Sequence, residues 1–162
     1  MELILAQHGF PPLLDSTTET LILGSFPSVK SREKAFYYMH PQNRFWSVLS
    51  EVLDEDFVHA DRDTKVLLLK KHHIGLYDVI ESCRIQGSQD ASIQDVTISH
   101  IRTWISMYPI QKIFLNGATA YKHFIQEFPD LQSMATKLPS TSPANASWNL
   151  ERLVEAWNII KS

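Results

Sequence analysis

The sequence predicts a three-layer α/β/α sandwich around a short, mainly parallel sheet of four strands. Short apolar segments alternate along the chain with stretches of helical periodicity, which is typical of α/β domains. Turn-forming residues follow the apolar segments, as at Gly24 and at the Asn116–Gly117 pair. No internal repeat, linker or low-complexity tract interrupts this order. We therefore expect one domain over residues 1–162.

Each strand and helix is predicted from the apolar pattern and from the turn-forming residues that end it. The predicted strands cover residues 20–24, 75–80, 111–116 and 134–138. The predicted helices cover residues 43–53, 62–73, 97–108, 118–128 and 147–160. Ser92 or Thr97 is expected to cap the helix over 97–108, which Pro109 ends. Residues 1–19 are predicted to be a surface extension that packs across the sheet, and the segment after residue 80 is predicted to be a loop.

The composition limits the classes of function. Hydrophobic residues make up 44% of the chain and charged residues 20%, as in ordinary soluble globular proteins. The N-terminus has neither a basic flank nor a long apolar run, so we expect no signal peptide, no membrane span and a cytoplasmic location, near the nucleoid in a prokaryote. The single cysteine, Cys83, excludes an internal disulfide and a thiolate cluster. The histidines match no metal-ligand spacing, so neither a metal nor a cofactor is expected.

The net charge of −3 argues against a protein that binds a long duplex through many phosphates. Four basic residues, Lys30, Arg32, Lys34 and Arg44, nevertheless follow closely after the loop over residues 24–28. On charge alone, the simpler interpretation of this group is a solvated face.

The loops after the four predicted strands are expected to meet at one site. In an open parallel sheet, ligands bind outside the carboxyl ends of the strands. The loops there are GSFPS, DVIESC, NGAT and PSTSP. The first and last are rich in hydroxyl groups, and three aromatic residues, Phe36, Tyr37 and Tyr38, follow the first. This combination predicts a site that holds phosphate and a flat ring.

Two segments carry a resemblance to a known family. GSFPS at 24–28 followed by FYYMHPQNRFW at 36–46 resembles the first motif and following helix of the mismatch-specific uracil-DNA glycosylases. LPSTSPAN at 138–145 occupies the place of their second motif. The resemblance runs from about residue 20 to the end of the chain. It implies the uracil-DNA glycosylase fold and a monofunctional DNA glycosylase, which hydrolyses the N-glycosidic bond of a deaminated base and leaves an abasic site.

The departures from that pattern point to one branch of the superfamily. Phe26 stands where most members have an Asn or Asp that directs water, and Leu138 stands where the second motif has an Asn. These substitutions are similar to those of the hypoxanthine-DNA glycosylase branch, in which an amide from the His-Pro-x-Asn turn is implicated. That amide is Asn43 here. Hypoxanthine is therefore the first expected substrate and uracil the second.

Asn43 is the predicted catalytic residue. Its carbonyl oxygen can accept a hydrogen bond from water while its amide nitrogen donates to a neighbour. The alternative is a helix N-cap for the segment that follows, for which Asn is well suited. The residues alone weigh the two roles equally, and the resemblance favours catalysis.

The base pocket is predicted to consist of Ser25, Phe26, Tyr38, Asp78 and Asn116. Tyr38 matches the family position whose ring stacks on the base, and Phe26 would shape the pocket for a ring. The carboxylate of Asp78 only accepts hydrogen bonds, so it would favour an N–H edge such as that of hypoxanthine N1. Core packing for Tyr38 and a turn or cap for the polar residues are the alternatives.

The expected partner is damaged DNA, bound over a few nucleotides around a flipped base by a monomer. The predicted phosphate and loop contacts are hydroxyls, amides and backbone N–H groups of two loops: Ser28, Ser31, Ser140, Thr141, Ser142 and Asn145. Two other functions remain open from the sequence. One is a catalytically weak nucleic-acid or nucleobase binding module, suggested by Phe26. The other is an α/β hydrolase for small molecules, for which the Gly-x-Ser-x-Gly elbow is missing.

Overall fold

The structure is a computed structural model that describes residues 3–161. Residues 1, 2 and 162, which belong to the predicted domain and its extension, lie outside the described residues. The strands are β1 (Ile4–Gln7), β2 (Thr20–Gly24), β3 (Ile74–Asp78), β4 (Ile80–Ile85), β5 (Gln94–Ile98), β6 (Lys112–Asn116) and β7 (Ala135–Leu138). The helices are α1 (Val29–Lys34), α2 (Phe45–Leu53), α3 (Arg62–Lys71), α4 (Ile101–Met107), α5 (Ala118–Glu127) and α6 (Leu150–Trp157).

The main sheet contains four parallel strands in the order β3–β2–β6–β7. Leu23 of the central strand pairs with Tyr77 on one side and with Leu115 on the other. Residues 21–23 are fully buried, as expected of a parallel strand covered on both faces. The α/β fold class and the four-stranded parallel sheet predicted from the sequence are confirmed.

The helices bury aromatic side chains against this sheet and against one another. Helix α2 packs on α6, where the rings of Phe45 and Trp157 meet edge to face with centroids 5.8 Å apart. Both side chains are fully buried. Among the described residues, no helix is long and apolar enough to cross a membrane.

The loop predicted after residue 80 is wrong, because a strand of a second sheet occupies residues 80–85. Strands β1, β4 and β5 form an antiparallel sheet in the order β1–β4–β5, with Ala6 of β1 opposite Cys83 of β4. Residues 4–7 therefore form a strand within the predicted N-terminal extension, and residues 80–85 are a strand rather than the predicted loop. Ile80, Cys83 and Ile85 are buried in a separate small core. Register irregularities in β4 break the strict alternation that would have indicated a strand.

Helix ends also differ from the prediction. The predicted helix over 97–108 begins only at Ile101, because residues 94–98 pair with β4 as β5. Neither Ser92 nor Thr97 caps it, since the hydroxyl of Ser92 instead joins the turn before β5 by donating to the Gln89 carbonyl. The short helix α1, which contains Ser31, is capped by the Ser28 hydroxyl.

Candidate active site

A pocket of about 790 Å³ opens where the main-sheet strands end. The loops after β2, β6 and β7 line it, as the fold predicts for an open parallel sheet, together with Asp78 at the end of β3 and residues 88–90 between β4 and β5. Every residue predicted for the site lies in its wall: Ser25, Phe26, Ser28, Ser31, Tyr38, Asn43, Asp78, Asn116, Ser140, Thr141, Ser142 and Asn145. The fold therefore brings the two hydroxyl-rich loops together with the aromatic residues Tyr37 and Tyr38.

Asn43 is held by two hydrogen bonds to its carbonyl oxygen. Oδ1 accepts from the Phe45 amide at 2.9 Å and from the Thr141 hydroxyl at 2.8 Å. The backbone donor of Phe45 fixes the amide orientation, because a flipped amide would oppose two donors. Within residues 3–161, Nδ2 makes no hydrogen bond. Asn43 thus serves the first amide of α2 and also presents N–H donors in the pocket wall.

The carbonyl of Asn43 was expected to accept from water, and the structure gives that oxygen other partners. Thr141, which is fully buried, links it to Asn116. Asn116 Nδ2 donates to the Thr141 hydroxyl at 3.0 Å, and Asn116 Oδ1 accepts from the Thr141 amide at 3.0 Å. The chain Asn116–Thr141–Asn43 therefore joins β6, the last loop and the start of α2.

Asp78 ends β3 and is paired with a histidine. Its Oδ2 lies 2.7 Å from Nε2 of His8, and both side chains are buried. The His8 ring stacks on Tyr77, with centroids 3.9 Å apart. The other carboxylate oxygen, Oδ1, lies against Gly24, where a Cβ would overlap it. Only a glycine at this position lets the carboxylate approach the end of β2.

The Tyr38 hydroxyl lies on the same side of Gly24 as Asp78 Oδ1. It would be 3.1 Å from a Cβ at that position, and the Tyr38 ring stacks on Phe45 at a centroid distance of 3.8 Å. The hydroxyl oxygen is buried and makes no hydrogen bond of standard geometry among the described residues, although the Asn116 side chain is close enough to lower its pKa. Burial, reinforced by the charge of Asp78 and opposed by Asn116, raises the pKa of Tyr38. The phenol is therefore neutral and able to donate.

The two arginines of the predicted basic group bind backbone carbonyls. Residues 139–148, which follow β7, are called the second loop. The Arg44 guanidinium donates to four backbone carbonyls of this loop, those of Thr141, Ser142, Asn145 and Trp148. Arg32 donates to the carbonyls of Pro27 and Gly87. Both arginines thus shape the loops around the pocket, which differs from the solvated face expected from charge alone.

Two of the predicted phosphate-contacting hydroxyls are buried. Ser31 is 2% exposed and accepts from the Met39 amide at 3.0 Å, and Thr141 belongs to the asparagine network. Ser28, Ser140 and Ser142 are half-buried at the pocket wall. The predicted phosphate contacts are therefore left to these three serines, to Asn145 and to backbone groups.

The model of the uracil DNA glycosylase superfamily matches residues 11–161 of the chain. The chain belongs to this superfamily.

Individual relatives agree with the family match. A hypoxanthine DNA glycosylase of Methanosarcina acetivorans is 37% identical over 158 residues, which cover 95% of this chain and 97% of the relative. A hypoxanthine DNA glycosylase of Methanosarcina barkeri is 38% identical over 112 residues, 68% of this chain and 71% of the relative. The solution NMR structure of a candidate uracil DNA glycosylase from M. acetivorans superposes with a TM-score of 0.84 at 33% identity, covering 98% of both chains.

These comparisons confirm the family and the enzyme class predicted from the sequence. The protein is a DNA glycosylase of this superfamily.

Sequence reasoning missed two ionisable residues in and behind the pocket of this glycosylase. His8 is one, and no spacing in the sequence relates it to Asp78, which lies 70 positions away. The other is Asp90, whose two carboxylate oxygens each accept from the Ser25 hydroxyl at 3.0 Å. Burial and, less strongly, the charge of Asp78 raise the pKa of Asp90, while the Ser25 hydrogen bond opposes the shift. Asp90 lies in a polar segment whose sequence has no feature that distinguishes it from an ordinary loop.

Proposed function

We propose that this glycosylase excises hypoxanthine from DNA, with uracil as a secondary substrate. The observation that carries the proposal is the buried carboxylate of Asp78, held by His8 at the end of β3 in the pocket wall. A carboxylate accepts hydrogen bonds only, so it matches the N1–H of hypoxanthine or the N3–H of uracil. Adenine and cytosine have lone pairs at those ring positions and would be repelled. The two relatives named hypoxanthine DNA glycosylases support the order of preference.

The substrate base reaches this pocket only after leaving the DNA stack. Enzymes that act on a base in duplex DNA extrude it into a pocket and bind it by ring contacts and hydrogen bonds. The ring contact in this proposal is Phe26, which is buried and lines the pocket under the Arg32 guanidinium. Ser25 and Asn116 complete the polar wall around the base.

Asn43 is the proposed catalytic residue. Breaking the N-glycosidic bond places positive charge on the sugar and negative charge on the departing base, as in other oxocarbenium-like reactions. Water then adds to C1′, and its proton compensates the charge on the base, so that the products are an abasic site and the neutral base. The N–H donors of Asn43 hold the attacking water through its oxygen. This differs from the expected use of the carbonyl, which already has two donors.

DNA binding in this proposal depends on few ionic contacts. Ser28, Ser140, Ser142, Asn145 and backbone N–H groups contact the phosphates near the flipped nucleotide. Since few phosphates are neutralised by lysine or arginine, the slope of log K against log salt is shallow, on the order of −1 to −3. Titration of a labelled oligonucleotide at several salt concentrations measures that slope. We further propose a cytoplasmic monomer that works as one domain.

The decisive experiment is a cleavage assay on labelled oligonucleotides that contain a single deoxyinosine, deoxyuridine or deoxyxanthosine, followed by alkaline scission. We expect strand breaks at deoxyinosine first, at deoxyuridine more slowly, and none with N43A. Breaks at deoxyuridine alone would refute the hypoxanthine assignment and the role of Asp78. Binding without breaks at any lesion would contradict the mechanism.

A further inference from the structure

Two polar groups beside the end of β2 make no hydrogen bond of standard geometry among residues 3–161, and both belong to residues that line the pocket. They are the Tyr38 hydroxyl and Oδ1 of Asp78, and both lie beside Gly24. The Asp78 carboxylate oxygen can only accept a hydrogen bond, while the Tyr38 hydroxyl can donate one. A buried polar group without a partner is costly and therefore rare in folded proteins. The pair is thus a place where a ligand with complementary groups would be stabilised.

His8 determines which oxygen of Asp78 stays available. Nε2 of His8 takes Oδ2 at 2.7 Å, and the backbone amide of His8 donates to the Glu81 carbonyl at 2.8 Å, which fixes the ring on the second sheet. Nδ1 is buried without a partner among the described residues, between Tyr77 and Phe10. A proton on Nδ1 would be a buried donor with no acceptor, so the tautomer with hydrogen on Nε2 fits this site. His8 then donates to Asp78 and leaves Oδ1 as the only oxygen that faces the pocket.

Tyr38 supplies the donor of the pair. Its backbone lies in the left-handed region at φ 54°, and its ring is stacked on Phe45. The stacked face is unavailable to a base, whereas the hydroxyl is directed at the end of β2. The raised pKa of Tyr38 keeps the phenol protonated at neutral pH.

We propose that Tyr38 and Asp78 together recognise the lactam edge of the flipped base, and that His8 is the positioning residue that makes this recognition directional. A lactam presents an N–H beside a carbonyl oxygen, as at N1 and O6 of hypoxanthine or N3 and O4 of uracil. Asp78 Oδ1 accepts from the N–H, and the Tyr38 hydroxyl donates to the carbonyl oxygen. This inference rests on the proposed function and adds a specificity device to it.

The pair distinguishes a deaminated base from its parent base. Adenine and cytosine present a ring nitrogen lone pair and an amino group at the same two positions, so the lone pair is set against the Asp78 carboxylate and the Tyr38 hydroxyl has to turn from donor to acceptor. Deamination reverses both groups at once, and both contacts become favourable. Sites built to form hydrogen bonds discriminate strongly against analogues with the wrong pattern, because the site's own buried groups are then left unpaired.

The test compares cleavage of deoxyinosine with cleavage of deoxynebularine, a purine nucleotide that lacks both O6 and the N1 hydrogen. Single-turnover rates are measured for the wild type, Y38F, H8L, H8Q and the control Y121F, whose hydroxyl lies outside the pocket. We expect Y38F and H8L to lose about tenfold or more on deoxyinosine, the effect of one lost hydrogen bond, and to change little on deoxynebularine. H8Q, whose amide can replace the Nε2 donor, and Y121F should keep the wild-type ratio of the deoxyinosine rate to the deoxynebularine rate.

The outcomes separate this inference from the proposed function. Wild-type enzyme that fails to cleave deoxyinosine refutes the proposed function. If the wild type cleaves deoxyinosine and Y38F has the same ratio of deoxyinosine rate to deoxynebularine rate, the lactam contact alone is refuted. If H8L fails to fold, Y38F decides, because the hydroxyl that it removes makes no hydrogen bond of standard geometry among the described residues. If deoxynebularine is cleaved too slowly to measure, the deoxyinosine rate of Y38F against that of Y121F decides.

Discussion

Thr141→Val tests whether Asn43 is held through the second loop. Valine keeps the shape of the side chain and removes the hydroxyl. The substitution deletes the 2.8 Å bond from Thr141 to Asn43 Oδ1 and the 3.0 Å bond from Asn116 Nδ2 to Thr141. The backbone bond from the Thr141 amide to Asn116 Oδ1 remains. The change is therefore confined to the link between the two asparagines.

The magnitude follows from those two bonds. Each is worth about 1 kcal/mol, and the buried Asn116 amide left without an acceptor adds to the cost, so we expect a loss of about 2–3 kcal/mol in the free energy of unfolding. For a chain of this size that lowers Tm by roughly 5–10 °C. Asn43 keeps only its bond from the Phe45 amide, so its side chain becomes less well oriented. We expect turnover to fall about 10- to 100-fold.

Thermal unfolding and single-turnover cleavage of a deoxyinosine oligonucleotide measure the two effects. Thr141→Ser is the matched control, because it keeps the hydroxyl and removes only a methyl group. We expect it to lose about 1 kcal/mol of stability and to stay within roughly threefold of wild-type turnover. Wild-type turnover in Thr141→Val, at a reduced Tm, would refute the argument that this network orients Asn43.

The remaining predictions concern four other residues of the site. Asn43→Asp keeps an acceptor oxygen and loses the N–H donors, so turnover should fall about 100-fold or more, as in Asn43→Ala; full activity in the cleavage assay would exclude the donor role. Arg44→Lys cannot reach all four carbonyls of the second loop, and we expect a loss of about 2 kcal/mol in unfolding free energy together with faster amide exchange there. Gly24→Ala places a methyl group against Asp78, and turnover should fall at least about tenfold while Tm changes less. The raised pKa of Asp90 means that the folded state binds this proton more tightly than the unfolded state, so its contribution to stability falls as pH rises through the acidic range above its ordinary pKa. Thermal melts of Asp90→Asn should lack that component.

The parallel sheet and the position of the site could be predicted because they depend on local patterns. Residues 21–23 form an apolar run closed by Gly24, and a run of this kind is typical of a strand buried on both faces. Once four such strands are placed in parallel, their carboxyl ends must share one edge. The twelve predicted site residues follow from that geometry and from the resemblance, and all of them line the pocket.

The second sheet and His8 could not be predicted, because they depend on pairing between distant segments. Strand β1 has only four residues, and its Ile4 and Leu5 are largely exposed, so no amphipathic pattern marks it. It becomes a strand by pairing with β4, which carries register irregularities of its own. The contact between His8 and Asp78 follows from that pairing and from the turn after Asp78, where β3 passes into β4.

The hydrogen bonds of the pocket explain why Phe26 is compatible with catalysis. A phenyl ring in the first loop cannot orient water, so that task must pass to a polar group elsewhere in the wall. Most polar side chains there are occupied: Thr141 holds Asn43 Oδ1, His8 holds Asp78 Oδ2, and Asp90 holds the Ser25 hydroxyl. Preorganised groups of this kind stabilise a transition state without reorganising during the reaction. Nδ2 of Asn43 remains unbonded within residues 3–161 and projects from a side chain anchored at both lone pairs of its oxygen. An enzyme that lacks a polar first-loop residue can therefore still hold its water, provided that the second loop keeps Asn43 in place.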